Sequence, residues 1–164
     1  MCELRGKPVT HVFVTHHHND HVGGLGPYVA RGAVVVVGAG LEEALRRQLP
    51  DSLRARVTFE AVRARRTFGD GESRVDAIPV PNEHADGNVA YHVPAARALL
   101  QGDLFYIPER GAVPPAFPVT TAMMHALRDA GVSVEQVIGV HGRMGTWAEV
   151  EQSARRRAKP PRGP

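Results

Sequence analysis

The chemistry of this chain is concentrated in one stretch, Thr15-His16-His17-His18-Asn19-Asp20-His21-Val22-Gly23-Gly24. On an extended backbone, residues two apart face the same side, so His16, His18 and Asp20 are expected to converge on one spot. The turn that follows brings His21 in beside them. Neutral imidazoles and carboxylates are good ligands for zinc and related divalent ions. An expression tag or a solvated patch would also be rich in histidine. This run is internal, however, and lies where an apolar strand meets a glycine-rich turn.

Three more residues of the right type follow at wide spacing. His84 closes Pro81-Asn82-Glu83-His84, Asp103 closes Gln101-Gly102-Asp103, and His141 opens His141-Gly142. Each is expected just past a strand end, where layered α/β folds assemble their sites. Any one of them alone reads as an ordinary turn residue; the set is what carries information. His11, His17, His92 and His125 are read as structural or surface residues, with His17 facing away from the metals by alternation.

The elements that must position these residues are legible in outline. Residues 9–15 are rich in β-branched and aromatic side chains and read as a strand. Residues 33–37 form a continuous apolar run, as in a sheet buried on both faces. Strands are also expected over 57–62, 67–68, 73–80, 88–93, 98–100 and 137–140. Helical spacing marks 25–31 and 41–49, the latter ended by Pro50. A helix over 120–130 would be capped by Thr120 or Thr121 and stopped by Gly131. Thr146-Trp147-Ala148-Glu149 matches a capping box and starts a helix at Trp147 that frays into the tail. Met123, Met124 and Trp147 read as core-facing helix residues. Residues 107–119 are a proline-rich loop. Alternating strands and helices indicate an α/β or α+β layered domain.

The order His-x-His-x-Asp-His, then His, then Gly-Asp, then His-Gly resembles the metallo-β-lactamase superfamily over residues 7–152. The resemblance implies a four-layer αββα sandwich and two metal sites. His16, His18 and His84 would hold the first metal. Asp20, His21 and His141 would hold the second, and Asp103 would bridge them. It implies a dinuclear zinc hydrolase, with iron or manganese as alternatives, acting on an ester, thioester, lactone or amide bond of a small molecule. Two such ions share a water and lower its pKa toward neutrality, giving a hydroxide nucleophile that Asp20 would orient. Tyr106, three residues after Asp103, lies where lactone-cleaving members carry a tyrosine; an oxyanion donor and a structural loop residue are both open readings. No cysteine stands at the second-metal positions and no glutamate interrupts the first motif. These features disfavour the cysteine-bearing lactamases and the flavodiiron oxidoreductases. A mononuclear iron persulfide dioxygenase and a non-catalytic metal-binding remnant are the competing readings.

Composition narrows the classes further. The chain has 164 residues, one cysteine (Cys2) and a net charge of +3. One domain is expected over 1–152, followed by a basic, proline-rich tail over 153–164. Neither an internal disulfide nor a thiolate zinc cage is available. The longest apolar run is far shorter than the roughly 20 residues a membrane span takes. With no signal-like start, a cytoplasmic location is the expectation. Arg63, Arg65, Arg66 and the tail carry much of the positive charge. Without interleaved aromatics they read as solvated rather than as a nucleic-acid surface. Superfamily domains usually have several strands ahead of the first metal motif, and only about eight residues precede Val9 here. The opening part of the first sheet is therefore expected to be missing, leaving 9–15 as an open edge through which the chain self-associates.

Overall fold

The computed structural model describes residues 3, 4 and 6–157. A small hairpin, β1 (Glu3–Leu4) and β2 (Lys7–Pro8), comes first. Then β3 (His11–Phe13), β4 (Val34–Gly38) and β5 (Thr58–Val62) form a parallel three-stranded sheet in that order. The crossovers carry α1 (Asn19–Val22) and α2 (Gly26–Val29), then α3 (Glu42–Gln48) and α4 (Asp51–Arg54).

The second sheet has six strands. β6 (Arg66–Phe68), β7 (Val75–Pro79), β8 (Val89–Val93) and β9 (Ala98–Gln101) form an antiparallel meander. β10 (Gln136–Gly139) adds parallel to β9 after α5 (Pro118–Asp129), and β11 (Gly145–Thr146) closes the edge before α6 (Trp147–Arg157).

Strand alternation sorts the apolar residues into three layers of core. Val35 and Val37 of β4 pack with Val22, Val29, Leu41 and Leu45 under α1–α4. Val36 faces the other way, meeting Val62, Ala77, Val89 and Tyr91 between the sheets. Leu99, Val137, Met123, Leu127 and Val150 fill the space under α5 and α6, with Met124 and Trp147 packed at its margin. The result is an αββα sandwich. Tyr91 ties the sheets together: its buried hydroxyl donates to the Val14 carbonyl at 2.7 Å, and burial keeps that hydroxyl protonated.

The expected elements are present, with local differences. The helix expected at Thr120 begins at Pro118, in the first turn where a missing N–H costs nothing. Thr120 is therefore inside α5 and caps nothing; its hydroxyl donates to the Leu104 carbonyl at 2.7 Å. The capping box at Thr146 forms reciprocally: the Thr146 N–H donates to Glu149 Oε2 (2.9 Å) and the Glu149 N–H to Thr146 Oγ1 (3.4 Å). α6 continues through Arg157, with Ser153 buried and donating to the Pro114 carbonyl. Residues 153–157, assigned above to the tail, thus pack on the body. The Lys159–Arg162 stretch lies outside the described residues.

Two of the three central arginines are engaged. Arg65 and Arg74 both pair with Asp76, which is 1% exposed and also accepts from Thr67, while Arg66 pairs with Glu60. Burial pushes the Asp76 carboxyl up, but the hydrogen bonds from Arg74, Thr67 and Arg65 outweigh it and hold the group well below the usual carboxylate range. A depressed folded pKa gives stability that is present above the ordinary aspartate value and lost as pH falls below it. Asp76→Ala should destabilise the chain by about 3 kcal/mol at neutral pH. The gap from wild type should narrow below about pH 4. Urea melts at pH 7 and pH 3 test this, and an equal gap at both would contradict it.

At β3 the first sheet ends. The Val34 N–H donates to the Thr10 carbonyl and the Val14 N–H to the Val36 carbonyl. By alternation, the backbone groups of His11 and Phe13 point to the open side, where no strand pairs among the described residues. Beside Phe13 of that edge, Leu100 of β9 and Val140 just past β10 are 40% and 52% exposed. Self-association is the expected consequence. His11→Pro removes an outward-facing N–H and no bond to β4, at the cost of the ring's contacts with Glu60 and Phe68, so it should shift the chain from larger species to monomer in size-exclusion chromatography. A wild-type chain that stays monomeric at every concentration would contradict the expectation.

Candidate metal centre

Strand direction explains why residues so far apart in sequence meet. β7 and β9 are two apart in an antiparallel meander, so they run the same way, and β10 runs parallel to β9. Their C-terminal ends lie at one end of the sheet, where His84, Asp103 and His141 follow. β3 brings residues 16–21 to the same place from the other sheet. Its position there is pinned by a backbone bond between sheets, from the Val89 N–H to the Thr15 carbonyl at 2.8 Å.

The seven side chains gather as two adjoining groups. His16, His18, His84 and Asp103 form one, and Asp20, His21 and His141 the other. In the first, His16 Nε2 lies 3.0 Å from His18 Nδ1 and 3.5 Å from Asp103 Oδ2, which is 3.2 Å from His84 Nε2. In the second, Asp20 Oδ2 lies 2.9 Å from His141 Nε2 and 3.4 Å from His21 Nε2. Asp103 Oδ1 reaches that group at 3.3 Å from His21 Nε2 and 3.7 Å from His141 Nε2. Asp103 thus turns one oxygen toward each group. Asp20 departs from the expected line with His16 and His18. The backbone turns helical at Asn19, which carries Asp20 and His21 round to the second group.

The electrostatics suit cation binding. Burial, and then the neighbouring His21, push His16 down to about 4, so its imidazole is neutral at physiological pH. His18 is lowered by burial and by His84. Desolvation raises the Asp20 carboxyl, but its backbone hydrogen bond and then His141 and His21 together outweigh it and hold the group below its ordinary value. His21 Nε2 is buried and has no hydrogen-bond partner among the described residues. A buried, unpartnered nitrogen aligned with two carboxylate oxygens fits a divalent cation.

Neighbouring residues hold the loops. Gln101, fully buried, accepts the Leu104 and Phe105 N–H groups at 2.8 and 3.1 Å and donates to the Phe105 carbonyl at 2.7 Å, clamping the turn that presents Asp103. Asn82 accepts the His84 N–H at 2.9 Å and does the same for the His84 loop. The sequence analysis assigned neither residue a role; a polar residue beside a turn ahead of a ligand was the available signal. Tyr106 is 45% exposed, with its ring beside Gly142. His11 and His92 lie in β3 and β8, and His17 stays out of both groups. His125 borders a groove of about 790 Å³ between α5 and α6 that includes none of the seven.

The family model of the metallo-beta-lactamase superfamily matches residues 3–162. The chain belongs to the metallo-beta-lactamase superfamily. It is 30% identical over 125 residues to the hydroxyacylglutathione hydrolase of Brucella ovis, a match that spans 76% of this chain and 44% of that protein. The chain therefore covers less than half the length of the curated relatives it matches. Among solved structures, a metallo-beta-lactamase from Pontibacter korlensis superposes with a TM-score of 0.67 at 20% identity, covering 90% of this chain and 68% of that one. The FIM-1 metallo-beta-lactamase of Pseudomonas aeruginosa, in its mono-zinc form, gives 0.65 at 16% identity over 92% and 67%. These two likenesses establish the fold. No helix among the described residues is long and apolar enough to cross a membrane.

Asp103→Ala removes the candidate ligand that turns an oxygen toward each group. Zinc content after loading should fall by at least one ion per chain, whereas exposed Glu83→Ala, beside a candidate ligand, should leave it unchanged. Elemental analysis of both variants decides it, and full occupancy in Asp103→Ala would contradict the shared role.

Proposed function

We propose that this chain is a metal-dependent hydrolase that holds two divalent ions, zinc foremost, and cleaves a thioester or related acyl bond of a small molecule. The observation that carries this reading is the pair of adjoining donor groups with Asp103 turned toward both. The sequence likeness to a hydroxyacylglutathione hydrolase supports a thioester ahead of a lactone, ester or amide. His16, His18 and His84 would hold one ion, Asp20, His21 and His141 the other, and Asp103 would serve both.

When bound, such ions supply Lewis acidity and a nucleophile at neutral pH. The chain's own residues do the positioning. Ionised Asp20, in hydrogen-bond reach of His141, can orient the attacking water and take its proton. Tyr106, beside Gly142, offers a hydroxyl to the developing oxyanion. The proline-rich loop that follows Tyr106 and the segment after β5 are the surfaces on which substrate preference would be built.

The test is a substrate panel on zinc-, iron- and manganese-loaded protein: thioesters, lactones, esters, lactams, and a persulfide with oxygen uptake recorded. Thioester hydrolysis should appear, vanish with chelator and return with zinc. Asp20→Asn should lower kcat by about 10²–10⁴-fold. Oxygen uptake on the persulfide without hydrolysis would replace this reading with a dioxygenase. Fully loaded protein inactive on every substrate would point to a binding remnant.

A further inference from the structure

One hydroxyl stands behind both donor groups. Thr15, buried two residues past β3, places Oγ1 3.2 Å from His16 Nδ1 and 3.4 Å from His21 Nδ1. The two rings lie side by side, 4.1 Å between centroids, and belong to different groups. At their far ends their Nε2 atoms face the two oxygens of Asp103. The rings are thus held in a frame, with one hydroxyl at the Nδ1 end and one carboxylate at the Nε2 end.

Coordination through Nε2 would fix the hydrogens in this frame. An imidazole that binds a cation through Nε2 carries its hydrogen on Nδ1 and donates it. A threonine hydroxyl oxygen has two lone pairs and can accept from both rings. Among the described residues, the hydrogen bonds of His18, His84 and His141 are made by the ring nitrogen turned into the cluster, whereas His16 and His21 also meet Thr15 on the nitrogen that faces away. Space at this point is tight. A Cβ on Gly102 would come within 2.7 Å of Thr15 Oγ1 and 2.9 Å of His16 Nδ1, so Asp103 is preceded by a residue that leaves the hydroxyl its place.

We infer that Thr15 is a positioning residue common to both metal sites: by accepting from His16 and His21 it selects Nε2 as the coordinating atom of each and ties the affinities of the two sites together. Loss of a single ligand such as His84 or His141 acts first on its own group. Loss of the Thr15 hydroxyl acts on both. The inference rests on the two-ion reading above.

The experiment uses zinc itself, titrated into metal-free wild type, Thr15→Val and Thr15→Ser against a fluorescent chelator. Metal-free melting curves are run beside it. Valine keeps the shape and removes the oxygen; serine keeps the oxygen and removes the methyl. Thr15→Val should melt close to wild type without metal yet lose about 10–100-fold in zinc affinity at both sites, as for other outer partners of ligating histidines. Thr15→Ser should recover most of that loss. If wild type takes two zinc ions and Thr15→Val binds them as tightly, the inference is overturned and the two-ion reading stands. Weakening of one site only, or serine no better than valine, overturns it as well. A wild type that takes no zinc overturns both together.

Discussion

Five imidazoles and two carboxylates crowded at one end of a sandwich are the constraint on which the rest of this structure depends. Imidazoles this close cannot all carry charge, and burial with mutual repulsion drives the innermost of them, His16, to its neutral form. Imidazole nitrogens turned toward one another and toward two carboxylates form a donor set that a cation would share. Asp103 supplies the negative charge at the centre of the arrangement. The remaining architecture delivers these groups: parallel and twice-reversed strands end at the same place, and tight turns release the side chains there.

The load of stability lies elsewhere. Three apolar layers, two under helices and one between the sheets, are built by simple alternation along β4, β8 and β9. The strand ends therefore need not be apolar and can carry polar, mutually repelling groups. Gly38 shows how closely the two parts meet: a Cβ there would overlap the Gly87 carbonyl, so the His84 loop folds directly across the end of β4. Scaffold and site thus meet through backbone contacts such as this one as well as through the side-chain clamps of Gln101 and Asn82.

Much of this was legible in the sequence because it depends on local pattern. The continuous apolar strand over 33–37, the capping box at Thr146 and the glycine-rich turn after His21 all read correctly from neighbours in the chain. The order of histidines and aspartates pointed to the family that the full-length comparison identifies. What was not legible depends on contacts distant in sequence. Alternation alone set Asp20 beside His16 and His18, although the resemblance implied otherwise; the chain becomes helical at Asn19, where no strong capping residue announces it. Thr120 resembles a cap, yet its hydroxyl is claimed by Leu104, sixteen positions earlier. Arg65 read as solvated charge, yet it pairs with the buried Asp76 once β6 and β7 lie side by side. The clamp at Gln101 is an ordinary strand residue until its turn is seen.

The most direct measurement is anomalous diffraction at the zinc edge from crystals of the zinc-loaded chain. The account predicts two peaks a few ångströms apart, one among His16, His18 and His84 and one among Asp20, His21 and His141, with an Asp103 oxygen on each. A single peak away from these residues, or none in crystals grown with excess zinc, would contradict it.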